Sequence, residues 1–90
     1  SEQRQASTVL FSALSAAHAA FAEGQRDGDK LRALMADVIA SEQLAVLQYV
    51  SVADLDTLEE LQQLPEKSLA SLAVLIGEAV LIDNMLLGEI

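Results

Sequence analysis

The sequence has no cysteine, a single proline and very few aromatic residues. Without cysteine the chain can form neither a disulfide framework nor a thiolate site, which is typical of proteins from a reducing compartment. Aromatic residues make up 3% of the 90 positions, so the core has to be built from Leu, Val, Ile and Ala. We therefore expect a cytoplasmic protein with an aliphatic core.

Positive charge is also scarce, with 5 Lys and Arg against 14 Asp and Glu and a net charge of −9. A nucleic acid or an anionic membrane surface would need clusters of Lys and Arg, so neither is expected as a partner. The polar opening Ser1–Ala6 lacks the apolar core of a signal peptide, and no apolar run reaches the ~20 residues of a membrane-spanning helix. The chain starts without methionine, which we interpret as a piece of a longer protein.

Hydrophobic residues form 52% of the chain, which is typical of one small globular domain over residues 1–90. Apolar residues recur at helical spacing over Ser1–Ala22 and from Lys30 to about Ser41, so two amphipathic helices are predicted. Their apolar faces carry Leu10, Leu14, Ala17 and Phe21 in the first helix and Leu31, Leu34, Met35 and Val38 in the second. Gly24 should end the first helix, and Asp29 should cap the start of the second. Arg32, near that start, carries a charge that the helix dipole slightly disfavours.

The second half of the chain favours strands. Leu44–Ala53 is rich in β-branched residues and alternates in its second half, which predicts a strand. Asp56 and Glu59 have the spacing of a capping box, so a helical turn or two is expected from Thr57 to Leu64. Two apolar runs then flank Gly77-Glu78, which predicts a β-hairpin with a type II′ turn.

The hairpin predicted around Gly77 is apolar on both faces. Its turn would pair Ile76 with Ala79, Leu75 with Val80, Val74 with Leu81 and Ala73 with Ile82. Such a pair of strands has to be covered on both sides. The predicted fold class is α+β, with helices packed on one face of a small three-stranded antiparallel sheet ending in a β-hairpin.

No catalytic, cofactor-binding or metal-binding residue is predicted. Ser15 and His18 are neighbours on a helix, but they lack an orienting acid and an oxyanion hole. Asp27–Asp29 lacks the remaining ligands of a calcium loop, and a turn with a helix cap explains it better. Three further carboxylates are interpreted as a solvated acidic face: Glu59, Glu60 and Glu66.

Several segments together carry a family resemblance. A strand followed by an Asp-Pro-x-Thr-Leu turn is similar to Tyr49–Asp54 with Asp56–Leu58. A strand that enters an Ile-Gly turn is similar to Ala73–Gly77, and a Leu-Ile-Asp-Asn ending is similar to Leu81–Asn84. The opening Glu2–Ala6 is similar to the helix that follows a Ser-Arg-Asn loop. In this order the segments resemble the C-terminal domain of the pantothenate synthetase, or pantoate–β-alanine ligase, family.

The chain departs from the family pattern at three positions. Leu55 replaces the usual proline of the turn, and Leu75 and Val80 stand where arginines are expected. Because Leu75 and Val80 face each other in the predicted hairpin, a polar cross-strand site has become apolar. Any electrostatic contact made by those arginines is therefore not expected in this chain.

The resemblance implies a lid domain of an ATP-dependent ligase, with ATP and Mg bound by the parent enzyme. Pantoate is adenylated with release of pyrophosphate, and β-alanine then displaces AMP to give pantothenate. The family's catalytic groups lie in an N-terminal Rossmann-like domain and in the Ser-Arg-Asn loop, and residues 1–90 contain neither. We expect this chain alone to be inactive, with that N-terminal domain as its partner; fusion of the parent to a cytidylate kinase stays open.

Two other classes of function stay open. A stand-alone acidic interaction or dimerisation module would dock through the apolar sheet face. An acyl-carrier-like protein is a weaker alternative, because the nearest match to its attachment site is Lys67–Leu69. The apolar hairpin also predicts a homo-oligomer: the chain should self-associate through the sheet face that the N-terminal domain would cover, burying at least ~1,000 Å².

Overall fold

Two helices precede three strands along the chain. The computed structural model describes the backbone of residues 2–88 and the side chains of residues 6–88. The elements are α1 (Glu2–Ala22), α2 (Gly28–Ala40), β1 (Ala45–Asp54), β2 (Ser68–Ile76) and β3 (Ala79–Leu87). The two amphipathic helices and the three strands predicted from the sequence are therefore confirmed, and Ser1 lies outside the described residues.

The three strands form an antiparallel meander in the order β1-β2-β3. The hairpin pairs as predicted, from Ile76 with Ala79 to Ala73 with Ile82. Gly77 has φ +64° while Glu78 keeps a negative φ, which is the pattern of a type II′ turn and favours glycine at the first position. The predicted α+β fold, with its terminal hairpin, is confirmed.

A β-bulge at Gln48 divides β1 into two parts, and the alternation of inward and outward side chains shifts by one residue between them. Leu47 pairs with Val74 and Tyr49 pairs with Ala73, so Gln48 is the extra residue between them. A bulge restarts the inward and outward alternation of a strand. For this reason the sequence alternates cleanly only after Gln48.

Both helices pack on the same face of the sheet and enclose one aliphatic core. The apolar stripe predicted on α1 is buried there: Leu10, Leu14, Ala17 and Phe21. It meets alternate residues of β2: Ala70, Leu72, Val74 and Ile76. From α2 come Leu31, Met35 and Ile39, whereas the predicted Leu34 and Val38 are only partly buried. The core is almost purely aliphatic, as the composition indicated.

The predicted cap of α2 is wrong by two residues. Asp27, rather than Asp29, is the N-cap, with extended backbone angles of φ −86° and ψ 112°. Its Oδ1 accepts the backbone N–H of Asp29 at 3.0 Å and of Lys30 at 3.3 Å. The helix can therefore start at Gly28, which leaves Asp29 free to pair within the first turn.

The helical turns predicted over Thr57–Leu64 are also wrong, because these residues form no helix but a turn end, a bend and two isolated β-bridges. Leu58 has φ +62°, which a right-handed helix does not allow. The backbone of Glu60 forms a bridge to Ala53 at the free edge of β1, and Gln63 forms one to Asp27. Backbone hydrogen bonds from this segment to β1 and to residues 26–28 replace part of the bonds that a helix would have made internally.

Candidate functional site

The outer face of the sheet, the side turned away from the helices, is the most unusual surface of the domain. Its outward positions are 46, 49, 51 and 53 in β1, 69, 71, 73 and 75 in β2, and 80, 82, 84 and 86 in β3. None of these positions carries a charged residue. Val46, Tyr49, Val80 and Ile82 are exposed there, and the Ile82 side chain is the most open of them at 66%. Contiguous exposed apolar surface of this kind marks an interaction site more often than a free surface.

A turn headed by Asp54 closes one end of this face. The Asp54 Oδ1 accepts the backbone N–H groups of Asp56 at 2.8 Å and Thr57 at 2.9 Å, and its carbonyl accepts that of Leu58 at 2.9 Å. These backbone donors, Thr57 first and then Asp56, hold the pKa of the Asp54 carboxyl below its ordinary value of 3.8. The capping box predicted between Asp56 and Glu59 is thus absent, and a turn held by the Asp54 side chain takes its place.

Arg32 ties this loop to the helices. Its guanidinium donates to Asp29 Oδ1 at 2.8 Å, Glu60 Oε1 at 3.1 Å, the Leu61 carbonyl at 2.9 Å and the Val52 carbonyl at 3.3 Å. The side chain is only 18% exposed, whereas that of Glu60 is 53% exposed. Such a fork of donors reaches α2, β1 and the loop at once, which a lysine could not do. Its role is to fix the loop in place.

The Glu60 carboxylate connects this network to the outer face. It accepts a short hydrogen bond from the Ser51 hydroxyl, and its Oε1 also accepts the Val52 backbone N–H at 3.1 Å. Ser51 lies at an outward position, so Glu60 brings a negative charge to the rim of the face near the end of β1. The remainder of the face stays uncharged.

An open groove of about 790 Å³ lies at the end of α1. Arg26 crosses it, with its guanidinium 3.7 Å from the centre of the Phe21 ring and Nη1 donating to the Phe21 carbonyl at 2.6 Å. His18, Glu66 and Lys67 complete the polar part of the lining. The Arg26 contacts close the C-terminal end of α1, which has no basic residue in its last turn.

The structure keeps the sequence-derived candidates for chemistry apart. His18 is exposed on α1, and among the described residues it shares no hydrogen bond with Ser15. Asp27 is engaged as a helix cap, and Glu60 as the partner of Arg32. Within residues 2–88, no group of three or more acidic or histidine side chains is arranged to hold a metal ion, and no helix is long and apolar enough to cross a membrane.

Sequence reasoning missed the pairing of Arg32 with Glu60 because no local signal points to it. The two residues are 28 positions apart, and only the unpredicted extended path of residues 59–61 brings them together. The outer face, by contrast, was predicted in part, since the hairpin was expected to be apolar on both sides.

Comparison with known proteins shows which family the chain is similar to. The family described as Pantoate-beta-alanine ligase matches residues 1–86. The pantothenate synthetase of Roseiflexus sp. strain RS-1 is 57% identical over 86 residues, which cover 96% of this chain and 31% of that protein. The pantothenate synthetase of Herpetosiphon aurantiacus is 47% identical over 87 residues, covering 96% of this chain and 32% of that protein.

Solved structures show the same fold. A crystal structure of pantothenate synthetase from Thermus thermophilus superposes with a TM-score of 0.85 at 23% identity, covering 93% of this chain and 30% of the other. The chain thus spans about a third of the length of the relatives it matches. On the strength of the family match along residues 1–86, the chain belongs to the pantoate–β-alanine ligase family.

Proposed function

We propose that this chain is the C-terminal lid domain of an ATP-dependent ligase that condenses pantoate with β-alanine through pantoyl adenylate. The observation that carries the proposal is the match to pantothenate synthetases along 96% of the chain but only 31% of the relative. The ATP and Mg site and the catalytic groups then belong to an N-terminal domain of the same protein. The chain alone is expected to be inactive.

A lid supports this reaction by excluding water from the reactive adenylate and by completing the closed site. To do so it has to move as one body. The Arg32 fork and the Asp54 turn supply that rigidity, because they hold the loop between β1 and β2 against α2 and the edge of β1. The shared core of both helices and the sheet supplies the rest.

A chimera tests the proposal. Residues 1–86 would replace the matching segment of the Roseiflexus sp. enzyme, which is 57% identical, and β-alanine-dependent release of AMP would be measured. We expect the chimera to be active, the enzyme lacking this segment to be inactive, and residues 1–90 alone to be inactive. An inactive but folded chimera, or a truncated enzyme as active as the whole one, would refute the lid function.

A second candidate is a stand-alone interaction module, favoured by one observation, the uncharged outer face of the sheet. The same chimera separates the two candidates. A chain that serves only as a binding module would not restore ligase activity, whatever it associates with.

A further inference from the structure

We propose that the open groove at the end of α1 binds a phosphate group, either as free phosphate or as part of a small molecule. This inference goes beyond the proposed function and does not depend on it. The polar lining of the groove consists of three side chains that carry N–H donors, Arg26, Lys67 and His18, and of one carboxylate, Glu66. Phosphate oxygens accept hydrogen bonds from donors of this kind.

Arg26 keeps one edge of its guanidinium unoccupied. The Phe21 ring fixes the plane of the group, since Cζ lies 3.7 Å from the ring centre. Both hydrogen bonds of Arg26 leave from Nη1, to the carbonyls of Phe21 at 2.6 Å and Gln25 at 3.1 Å. Nε and Nη2 therefore donate to no acceptor among the described residues. These two nitrogens form the edge that holds two oxygens of a phosphate or carboxylate in parallel hydrogen bonds.

Arg26 and Lys67 are also cations without an acidic partner. Within residues 6–88, the ion pairs are those of Arg32 with Asp29 and with Glu60, so neither groove cation takes part in one. The chain carries 14 Asp and Glu against 5 Lys and Arg, so paired cations would be the ordinary outcome. Two unpaired cations that line one groove are available to an anion from solution.

Close backbone packing fixes the wall of the groove beside Lys67. Gly88 has φ +98°, and a Cβ at this position would collide with the Glu66 carbonyl oxygen and lie 3.4 Å from the Lys67 Cα. The segment Glu66–Lys67 is therefore held directly against the end of β3, without a side chain between them. A ligand does not have to order this backbone when it binds.

Glu66 and the end of α1 oppose an anion and so limit its affinity. The C-terminal end of a helix carries roughly −0.5 of a charge and Glu66 a full negative charge, against the two cations Arg26 and Lys67. The local balance is positive, in contrast to the net charge of −9 of the whole chain. We therefore expect a dissociation constant of about 1 mM at low ionic strength, and weaker binding in salt.

A phosphate suits the groove better than a carboxylate does. The free edge of Arg26 can hold two oxygens of either group. Lys67 and His18 supply donors for a further oxygen, and a phosphate has a third terminal oxygen that a carboxylate lacks. A phosphate also carries more negative charge at neutral pH, so it gains more from the two cations.

Titration of the 90-residue chain with inorganic phosphate, followed through its amide chemical shifts, measures the binding. Saturable shifts are expected around Arg26 and Lys67. Lys67→Gln should weaken binding about fivefold or more, and Arg26→Lys about tenfold, because lysine keeps the charge but loses the two-nitrogen edge. Lys30→Gln is the matched control: it also changes an exposed lysine, but outside the groove, so binding should stay the same. Circular dichroism would verify that every variant is folded.

Glu66→Gln gives a readout in the opposite direction. Loss of this carboxylate should tighten phosphate binding about threefold, because it removes a repulsion inside the groove. The matched control is Glu78→Gln, an exposed carboxylate in the turn at the other end of β2, which should leave binding unchanged. A side chain with a purely structural role would not produce such a gain, and weaker binding in Glu66→Gln would contradict the proposal.

AMP and acetate, titrated at the same ionic strength, identify the ligand. AMP bound about tenfold more tightly than inorganic phosphate would assign the groove to a phosphate ester, whereas equal affinities would assign it to free phosphate. Acetate bound as tightly as phosphate would overturn the proposal. The absence of saturable shifts up to about 20 mM phosphate would also overturn it, as would equal losses of binding in Lys67→Gln and Lys30→Gln.

Discussion

The Arg32 guanidinium lies 3.1 Å from the Glu60 carboxylate, although 28 positions of sequence separate the two residues. Arg32 also donates to the carbonyls of Leu61 and Val52, so loss of its side chain leaves those oxygens without this donor. The contact thus joins α2, β1 and the loop that follows β1. The free energy of these hydrogen bonds determines how strongly the loop is held against α2 and β1.

Replacing Arg32 should destabilise the domain more than replacing Glu60. We expect Arg32→Met to lower the free energy of unfolding by about 2 kcal/mol and Glu60→Gln by about 0.5 kcal/mol, since Glu60 is half exposed and solvent screens its charge. Lys30→Met, at an exposed neighbouring position, is the control and should change little. Urea denaturation gives all three values, and equal effects of Arg32→Met and Lys30→Met would contradict the network.

Proline at position 55 should stabilise the Asp54 turn. Among the hydrogen bonds of the described residues, none has the Leu55 N–H as donor, and the preceding Asp54 is in a strand, which suits a residue before proline. We expect Leu55→Pro to raise the free energy of unfolding by about 0.4–1 kcal/mol. Thr57→Pro is the control: it removes an N–H that donates to Asp54, so it should destabilise in the same urea series. A destabilising Leu55→Pro would show that the backbone here rejects proline.

Acid should weaken the domain partly through Asp54. Because backbone N–H donors lower the pKa of its folded-state carboxyl, the stabilisation is fully present above the ordinary value of 3.8 and is lost as the pH falls through the lower folded value. Asp54→Asn should therefore flatten the decline of unfolding free energy with acidification below pH 3.8. The control Asp56→Asn leaves the Asp54 carboxylate in place, and its decline should stay steeper than that of Asp54→Asn. Identical slopes in wild type and Asp54→Asn would refute this assignment.

Gly28 is required for close packing. A Cβ at this helical position would collide with the Leu61 carbonyl oxygen, the same oxygen that accepts from Arg32. We expect Gly28→Ala to cost about 2 kcal/mol or more of unfolding free energy, since backbone cannot yield as a side chain can. Gly24→Ala is the comparison: at φ +110° with no atom within 4 Å of the added Cβ, it meets conformational strain but no collision, and about 1 kcal/mol is expected. Thermal denaturation of both variants would rank them, and the reverse order would contradict the contact.

The structural features that depend on residues close together in the sequence were predicted correctly. The stripe of Leu10, Leu14 and Phe21 and the Gly77 turn follow from local periodicity and turn chemistry, and both are confirmed. Residues 57–64 were predicted as helix because Asp56 and Glu59 have cap spacing. There the tertiary partners decided the outcome, since β1 and Asp27 offered bridges that no local pattern reveals.

For the outer face, the sequence predicted only that another surface has to cover it. The alternation of apolar residues in the hairpin indicated two faces, and the helices cover one of them. Which positions of β1 join the other face depends on the bulge at Gln48, because one extra residue decides that Tyr49 points outward. No feature of the sequence before Gln48 signals that shift.

The lengths of the two connections between the strands also determine the order in which the strands pair during folding. Between β2 and β3 the chain turns at Gly77-Glu78, whereas β1 and β2 are joined by the long segment 55–67. Closing a short loop costs less chain entropy than closing a long one, so we expect the hairpin to form first and β1 to dock onto it later. Leu75, Val80 and Ile82 would then be assembled while most of the chain is still unfolded. Aggregation during refolding of this domain should accordingly be most frequent early, before the helices have packed on the sheet.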